Sequence, residues 1–349
     1  MNMVVRADIK GQGARMEEAH SIARIEIYHE FEPVEAIWRD LESPRELSTP
    51  YQRFDFLSAW QRHLGAREND LPYIVVGRDR AGSPVMLMPL IISRLWGARI
   101  AHFMGGKHAA FNMPLWRRSF AERADENQVR ALFRMLKTSD LRPDVYAFAQ
   151  QPGEWHGLRN PFAALPSQSN PNTCPRINLS PNASPNERIS ASTRHRLRGK
   201  ERKLQALPGY RYHVARTRAE VTRLLDAFFR DKRKRMALQH LPDVFSLPGV
   251  EDFVREICES GIDAGTPLVR LHAIECDEEV IAVFSGMADA RRFSMMFNTY
   301  TLSANARYSP GLILIRHIID EYAAMGHFAL DLGVGAADYK TMFCKDNEP

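Results

Sequence analysis

Two stretches of the chain share one pattern: Pro72–Leu90 reads PYIVVGRDRAGSPVMLMPL, and Pro267–Ser285 reads PLVRLHAIECDEEVIAVFS. Each consists of an apolar strand, a polar turn and a second apolar strand, which is the signature of a β-hairpin. Shifting the first stretch onto the second superimposes Pro72 on Pro267 and Val85 on Val280, with little identity between them. Because such a recurring pattern marks two copies of one structural unit, we predict a duplicated fold.

The hydrophobic periodicity around these hairpins predicts the remaining elements. In the second copy, strands are predicted at Tyr210–Val214, Leu268–Cys276, Val280–Phe284, Phe293–Tyr300 and Phe328–Leu332, and helices at Arg218–Arg235, Val250–Cys258, Pro310–Met325 and Ala336–Phe343. The first copy repeats the order with strands at Ala23–Tyr28 and Val145–Ala149, helices at Pro33–Leu41, Phe54–His63 and Glu122–Lys137, and the hairpin at Tyr73–Leu90. The helix that joins the last two strands of the second copy makes them parallel neighbours. The fold class is therefore α/β, with a mixed sheet in each copy.

The length of 349 residues suits two domains. We predict a flexible N-terminus at 1–20, a first domain at 21–169, a linker at 170–186 and a second domain at 187–349. The linker prediction rests on the sequence NPNTCPRINLSPNASPN, because proline and asparagine favour turns and loops.

Composition excludes several classes of protein. The four cysteines stand alone, without the spacing of a disulfide framework or a zinc site, so no metal is expected. The N-terminus lacks the apolar segment of a signal peptide, and the longest apolar runs, such as Met86–Ile92, are too short to span a bilayer. We therefore expect a cytoplasmic protein with no membrane span.

Two C-terminal motifs resemble a known family. Phe297–Arg316 reads FNTYTLSANARYSPGLILIR, and Asp331–Phe343 reads DLGVGAADYKTMF. Together they resemble the CelD-like acetyltransferases of cellulose biosynthesis, a branch of the GNAT superfamily; Fem-type aminoacyltransferases are more distant relatives in architecture. The resemblance implies two tandem GNAT-like domains, the first a scaffold and the second catalytic. The chain departs from the family by having a single glycine, Gly311, in the RYSPG loop, and by ending soon after the last helix, where members usually add two strands. The edge of the second sheet is therefore expected to be missing, supplied by a neighbour, or unpaired.

The resemblance also implies the donor, acetyl-CoA or another acyl-CoA, and its site. In GNAT enzymes the diphosphate lies at the start of the helix after the first of two splayed strands, where free N–H groups and the helix dipole favour negative charge. Here that position is occupied by Arg307, Tyr308, Ser309, Gly311, Leu312 and Ile313. The alternative is that Ser309, Pro310 and Gly311 only cap a helix.

The resemblance assigns catalysis to Tyr339, which would protonate the leaving thiolate, and to Asp331, which would act as a base or bind the acceptor. Packing of Tyr339 and turn capping by Asp331 are the structural alternatives. Asn298, Tyr300 and Lys340 are candidates for binding the acceptor, a sugar, polysaccharide precursor or related small molecule, although Lys340 could simply be solvated.

Two basic runs leave further possibilities open: Arg194–Lys203 (RHRLRGKERK) and Arg230–Arg235 (RDKRKR). They form either solvated helix faces or a site for a polyanion, such as a phosphate group, tRNA or a lipid headgroup. No nucleic-acid motif accompanies them, so specific DNA binding is not expected. The leading hypothesis is acyl transfer from acyl-CoA. The alternatives are Fem-like transfer from aminoacyl-tRNA, and a non-catalytic GNAT-like assembly protein.

Overall fold

The computed structural model describes residues 3–5, 21–139, 142–169, 172–335, 338–344 and 346–348. The chain divides into two units, Met1–Ser169 and Asn170–Pro349. The predicted flexible segment 1–20 lies outside the described residues, except for 3–5.

The first unit contains a mixed sheet and four α-helices within its described residues. Its strands are β1 Met3–Val5, β2 Arg24–Tyr28, β3 Leu71–Arg78, β4 Pro84–Leu95, β5 Ala98–Phe103, β6 Leu115–Trp116, β7 Val145–Tyr146, β8 Glu154–Trp155 and β9 Leu158–Arg159, and its helices are α1 Glu35–Leu41, α2 Phe54–Trp60, α3 Arg118–Ala121 and α4 Glu126–Leu136. The sheet runs β1-β2-β3-β4-β5-β7, with β6 paired to β4. Strands β5 and β7 are parallel.

The second unit repeats this plan. Its strands are β10 Cys174–Asn178, β11 Arg211–Val214, β12 Arg270–Glu275, β13 Val280–Ala288, β14 Arg292–Tyr300, β15 Ala329–Asp331 and β16 Asp346–Glu348, and its helices are α5 Pro185–Arg188, α6 Ala191–Leu204, α7 Arg218–Leu238, α8 Val250–Glu259, α9 Pro310–Ala324 and α10 Asp338–Thr341. In the part of the chain that the structure describes, the sheet order is β11-β12-β13-β14-β15-β10-β16.

Helix α9 is placed by its apolar face. Ile315, Ile319 and Tyr322 are buried in one cluster with strand residues such as Phe293, whose ring centroid lies 4.1 Å from that of Tyr322. Burying an isoleucine or phenylalanine side chain contributes roughly 1.5–3 kcal/mol. This face therefore fixes the helix against the sheet and determines where its first turn lies.

The predicted fold class is confirmed. Both hairpins form, as β3 with β4 and as β12 with β13. Strands β14 and β15 are parallel neighbours, as the crossover predicted. The two units thus repeat a hairpin followed by a parallel pair. The connection between the parallel strands contains α3 and α4 in the first unit and α9 in the second.

The second sheet departs from the sequence prediction at its edge. Strand β10 comes from the segment predicted as a linker, and it pairs with both β15 and β16. The position beside β15 is therefore filled by the chain itself, which none of the three expected alternatives described. The miss has a physical cause, since a segment with Pro175 inside it resembles a loop rather than an inner strand.

Candidate active site

The candidate site forms where strands β14 and β15 separate. The described ladder between them ends at the pair Ser294 and Asp331, whereas β14 continues to Tyr300. Thr301 N–H pairs with Ile281 on the other side of β14. Along an antiparallel pair, successive residues point their backbone N–H and C=O groups alternately towards the partner strand and away from it. Because Thr301 bonds to the β13 side, the backbone groups of Asn298 and Tyr300 point away from β13, to the side where the pairing with β15 has ended. A gap between two parallel strands, which we call the splay, is thus bordered by backbone of β14.

The first turn of α9 lies beside this splay. A Cβ atom placed on Gly311 would be 3.4 Å from Cδ1 of Tyr300. Ser309 occupies the N-cap position, as predicted, but its backbone is left-handed (φ 56°, ψ 52°) and its side chain makes no capping hydrogen bond. A non-glycine residue in this region costs on the order of 1 kcal/mol or more, and such strain concentrates at functional sites.

Two of the backbone amides at the predicted diphosphate position are already used within the helix. The N–H groups of Leu312 and Ile313 donate to the carbonyl of Ser309, at 3.0 and 3.2 Å. Pro310 has no N–H. Among the described residues, none accepts a hydrogen bond from the N–H of Gly311. Gly311 is therefore the residue of this turn whose amide remains available to a ligand.

Helix α6 brings a cation to the same turn. Nζ of Lys200 donates to Oγ of Ser309 at 2.7 Å. The helix is held against α9 by two ion pairs: Arg194 with Asp320 at 2.7 Å, and buried Glu201 with Arg316 at 2.5 Å. The basic run 194–203 is thus not simply a solvated face, because one side of it packs and places Lys200 at the head of α9.

Arg307 is exposed on the loop before α9, where its guanidinium donates to Oη of Tyr308 at 2.8 Å. The loop is ordered by Glu279, whose carboxylate accepts from Thr301 at 2.6 Å and from Asn305 at 2.6 Å. Burial alone would raise the pKa of Glu279, but these hydrogen bonds together lower it. This role of Glu279 could not be predicted from the sequence, since hydrogen bonds across a loop leave no periodic signal.

The second basic run reaches the splay from helix α7. Arg235 donates to the carbonyl of Tyr300 at 2.6 Å, and its guanidinium lies 3.7 Å from the centre of the Tyr300 ring. Nζ of Lys232 donates to the carbonyl of Asn298 at 3.4 Å. Burial, followed by the charge of Arg235, lowers the pKa of Lys232. Two cations therefore contact the strand end that borders the gap.

Tyr339 and Asn298 meet at this site. Burial raises the pKa of Tyr339, and a hydrogen bond with the Asn298 side chain partly offsets the shift. Tyr339 therefore stays protonated at neutral pH and holds a proton that it can donate. The structure brings one predicted catalytic residue, Tyr339, together with one predicted substrate-binding residue, Asn298.

Asp331 and Lys340 are held by structural contacts. Asp331 is fully buried and accepts from Arg292 at 2.8 Å, from Ser294 at 2.5 Å and from the N–H of Gly333 at 3.0 Å. These contacts give no support to a role as a base. Lys340 is buried, and its Nζ donates to the carbonyls of Gly333 and Gly335, each at 2.8 Å. The solvated alternative for Lys340 is wrong, and its ammonium group is already committed to the loop.

His272 belongs to a buried chain of hydrogen bonds away from the splay. Its Nδ1 lies 2.9 Å from Oη of Tyr212, and its Nε2 lies 3.4 Å from Oη of Tyr322. Tyr212 in turn donates to Glu321. Burial lowers the pKa of His272 to about 3, so the ring is neutral.

The second unit thus combines a mixed sheet, two parallel strands that separate, and a helix that starts beside the gap between them. Residues 191–341 match the family model described as Acetyltransferase (GNAT) domain. The chain as a whole has the predicted mixed α/β fold, with a sheet in each of its two units. The matched residues include Lys200, Ser309, Gly311 and Tyr339 of the candidate site.

Three solved structures share the fold across both units. The C-terminal domain of a putative lysylphosphatidylglycerol synthetase from Agrobacterium fabrum has a TM-score of 0.54 at 11% identity, covering 92% of this chain and 91% of that one. FemX has a TM-score of 0.54 at 9% identity, covering 84% of this chain and 89% of that one. A protein of unknown function from Bacteroides thetaiotaomicron has a TM-score of 0.53 at 10% identity, covering 91% of this chain and 94% of that one. At these identities the likeness concerns the fold alone. No curated protein matches the sequence.

Neither metal-binding clusters nor membrane-spanning helices occur in the described part of the chain. No group of three or more His, Cys, Asp or Glu residues there could hold a metal ion. No helix there is long and apolar enough to cross a bilayer.

Proposed function

We propose that the second unit is an acyl-CoA-dependent acyltransferase, and specifically an N-acetyltransferase, acting on a sugar, a polysaccharide precursor or a related small acceptor. The observation that supports this most is the convergence of Lys200, Gly311 and Tyr339 on one splay. These three residues supply a cation, an available amide and a proton donor. The first unit serves as a scaffold.

The residues present fit the donor. Acyl-CoA would supply the acyl group as an activated thioester. Nζ of Lys200 and the N–H of Gly311 would bind phosphate oxygens at the head of α9, and the helix dipole adds to their attraction. Exposed Arg307 lies on the preceding loop and would add a second cation.

The chemical step requires positioning and one proton donor. The amine or hydroxyl of the acceptor attacks the acyl carbon and forms the new C–N or C–O bond, while the C–S bond breaks. Tyr339 holds its proton at Oη and gives it to the departing sulfur, and the proton of the acceptor leaves to solvent. The Asn298 side chain, which offsets part of the rise in the pKa of Tyr339, would orient the Tyr339 hydroxyl.

Binding of acetyl-CoA to the purified chain tests the proposal. A ligand that binds only the folded state stabilises it by about 2.7 kcal/mol at a concentration 100 times its Kd. We expect a clear rise in the melting temperature with acetyl-CoA. No rise at millimolar acetyl-CoA would reject the donor and leave aminoacyl-tRNA-dependent transfer and the non-catalytic assembly protein as the alternatives.

A second candidate is aminoacyl transfer from aminoacyl-tRNA. It is favoured by the exposed basic side chains of α6, which lie on the helix that reaches the head of α9; they are Arg196, Arg198, Arg202 and Lys203. The unchanged chain should bind tRNA with an affinity that falls as salt rises, and neutralising these four residues should abolish that binding. If the intact chain binds no tRNA at low salt, this candidate is rejected.

A further inference from the structure

The turn after helix α7 carries an unusual group of apolar side chains. Leu238, Leu241, Val244 and Leu247 are 71%, 53%, 46% and 45% exposed, respectively. We call these four residues the apolar rim. They make up half of the large exposed apolar side chains in the described part of the second unit, all within ten residues. Single exposed apolar residues are ordinary, whereas a cluster marks an interaction surface.

The rim is held in place rather than loosely folded. Phe245, between two rim residues, packs with its ring centroid 5.0 Å from Phe228 and 6.0 Å from Phe297. Oδ1 of Asp243 accepts from the N–H of Phe245 at 3.1 Å, and Leu241 N–H donates to Met236 at 3.0 Å. The segment is therefore fixed by these contacts, while the side chains of the rim remain exposed to solvent.

Positive charge borders the rim. Arg230–Arg235 holds five basic residues and one acid. Lys234 is exposed and has no carboxylate within 4 Å among the described residues, and Arg233 lies 3.9 Å from both Asp243 and Glu251. An anionic bilayer offers negative headgroups above an apolar interior, and so matches this combination. The phosphates of a nucleic acid would bind the cations, but a nucleic acid has no apolar interior that would bury four aliphatic side chains.

We propose that the apolar rim, together with Arg233 and Lys234, docks the second unit on an anionic membrane surface. The same helix end carries Lys232 and Arg235, which contact the carbonyls of Asn298 and Tyr300 at the splay. Docking therefore brings the candidate active site close to the bilayer. One consequence, which rests on the proposed function, is that the acceptor is an amphiphile whose polar group is presented at the membrane.

Vesicle flotation of the full chain tests the docking. The probes are vesicles of phosphatidylcholine alone and of phosphatidylcholine mixed with phosphatidylglycerol. We expect binding to the mixed vesicles that weakens with salt. L238S/L241S should lower the partition coefficient at least about tenfold, because two leucines no longer enter the bilayer. R233Q/K234Q should remove the preference for phosphatidylglycerol.

The control is M325S. Met325 is 49% exposed just beyond the far end of α9, about 20 Å along the helix from Ser309. This variant should bind vesicles like the unchanged chain. Because all these positions are exposed, the circular dichroism of each variant should match that of the unchanged chain. Acetyl-CoA binding is measured in parallel, so loss of docking is distinguished from failure of the proposed function.

Three outcomes overturn the proposal. In the first, the unchanged chain does not float with the mixed vesicles. In the second, L238S/L241S floats as well as M325S does. In the third, the chain binds polyuridylate RNA but no vesicles, which would identify a nucleic-acid surface.

Discussion

Replacing Asp331 with asparagine separates a structural role from a catalytic one. Asp331 and Arg292 are both buried, and the carboxylate accepts from Arg292 at 2.8 Å and from Ser294 at 2.5 Å. The substitution removes the negative charge from one side of a buried ion pair, and breaking such a pair typically costs about 3–5 kcal/mol. Asparagine retains one acceptor oxygen, so we expect the lower end of this range. That loss is still a substantial fraction of a total free energy of unfolding of roughly 5–15 kcal/mol.

The assay is urea unfolding followed by two signals. All five tryptophans, at 38, 60, 96, 116 and 155, lie in the first unit, so their fluorescence reports that unit, whereas far-ultraviolet circular dichroism reports both. Asp331→Asn should lower the midpoint of the dichroism transition. Ser294→Ala is the matched control and should cost only about 1 kcal/mol, because it removes one hydrogen bond.

A combined measurement refutes the reasoning. At low temperature, where Asp331→Asn remains folded, single-turnover acyl transfer should stay close to that of the unchanged chain. If the variant instead loses less than about 1 kcal/mol of stability and its turnover collapses, Asp331 is a catalytic base and the ion pair is secondary.

Three further outcomes are expected. Tyr339→Phe should lower single-turnover acyl transfer roughly 10²-fold while leaving acetyl-CoA affinity unchanged, and full activity would remove Tyr339 as the acid. Lys200→Met should weaken acetyl-CoA binding about tenfold by calorimetry, whereas Lys203→Met, at an exposed position of the same helix, should not; equal effects would place the phosphates elsewhere. For His272 the folded pKa of about 3 lies below the ordinary value of 6.5, so the unfolded state binds more protons between these values and stability falls as pH drops from 6.5 towards 3. His272→Gln should remove about 2 kcal/mol of this loss between pH 6.5 and 4.5, measured by urea midpoints, and an unchanged pH profile would show that His272 does not titrate in this way.

Much of the fold could be predicted from the sequence because its signals are local. The unbroken apolar run Val280–Phe284 and the helix start at Ser309-Pro310 predicted the type and position of β13 and α9 within a few residues. Strand β10 could not be predicted in this way. Its burial depends on two partners distant in sequence, while its own composition resembles a loop.

The candidate site was predictable only in part, for a similar reason. The family resemblance led to Ser309, Gly311 and Tyr339. The contacts of Lys200 and Arg235 arise from packing of α6 and α7, and a run of basic residues does not indicate which member turns inward. The burial of Lys340 was hidden likewise, because its partners are backbone carbonyls that carry no sequence signal.

The insertion of β10 between β15 and β16 also decides how the second unit can be produced in isolation. A fragment that starts at residue 191, where the family match begins, would lose the strand that pairs Arg176 with Asp331 and Asn178 with Ala329. The exposed N–H and C=O groups of β15 would then form an open edge that recruits other chains, and the fragment would tend to aggregate. Soluble production of the second unit therefore calls for a cut upstream of Cys174, close to the boundary at Ser169.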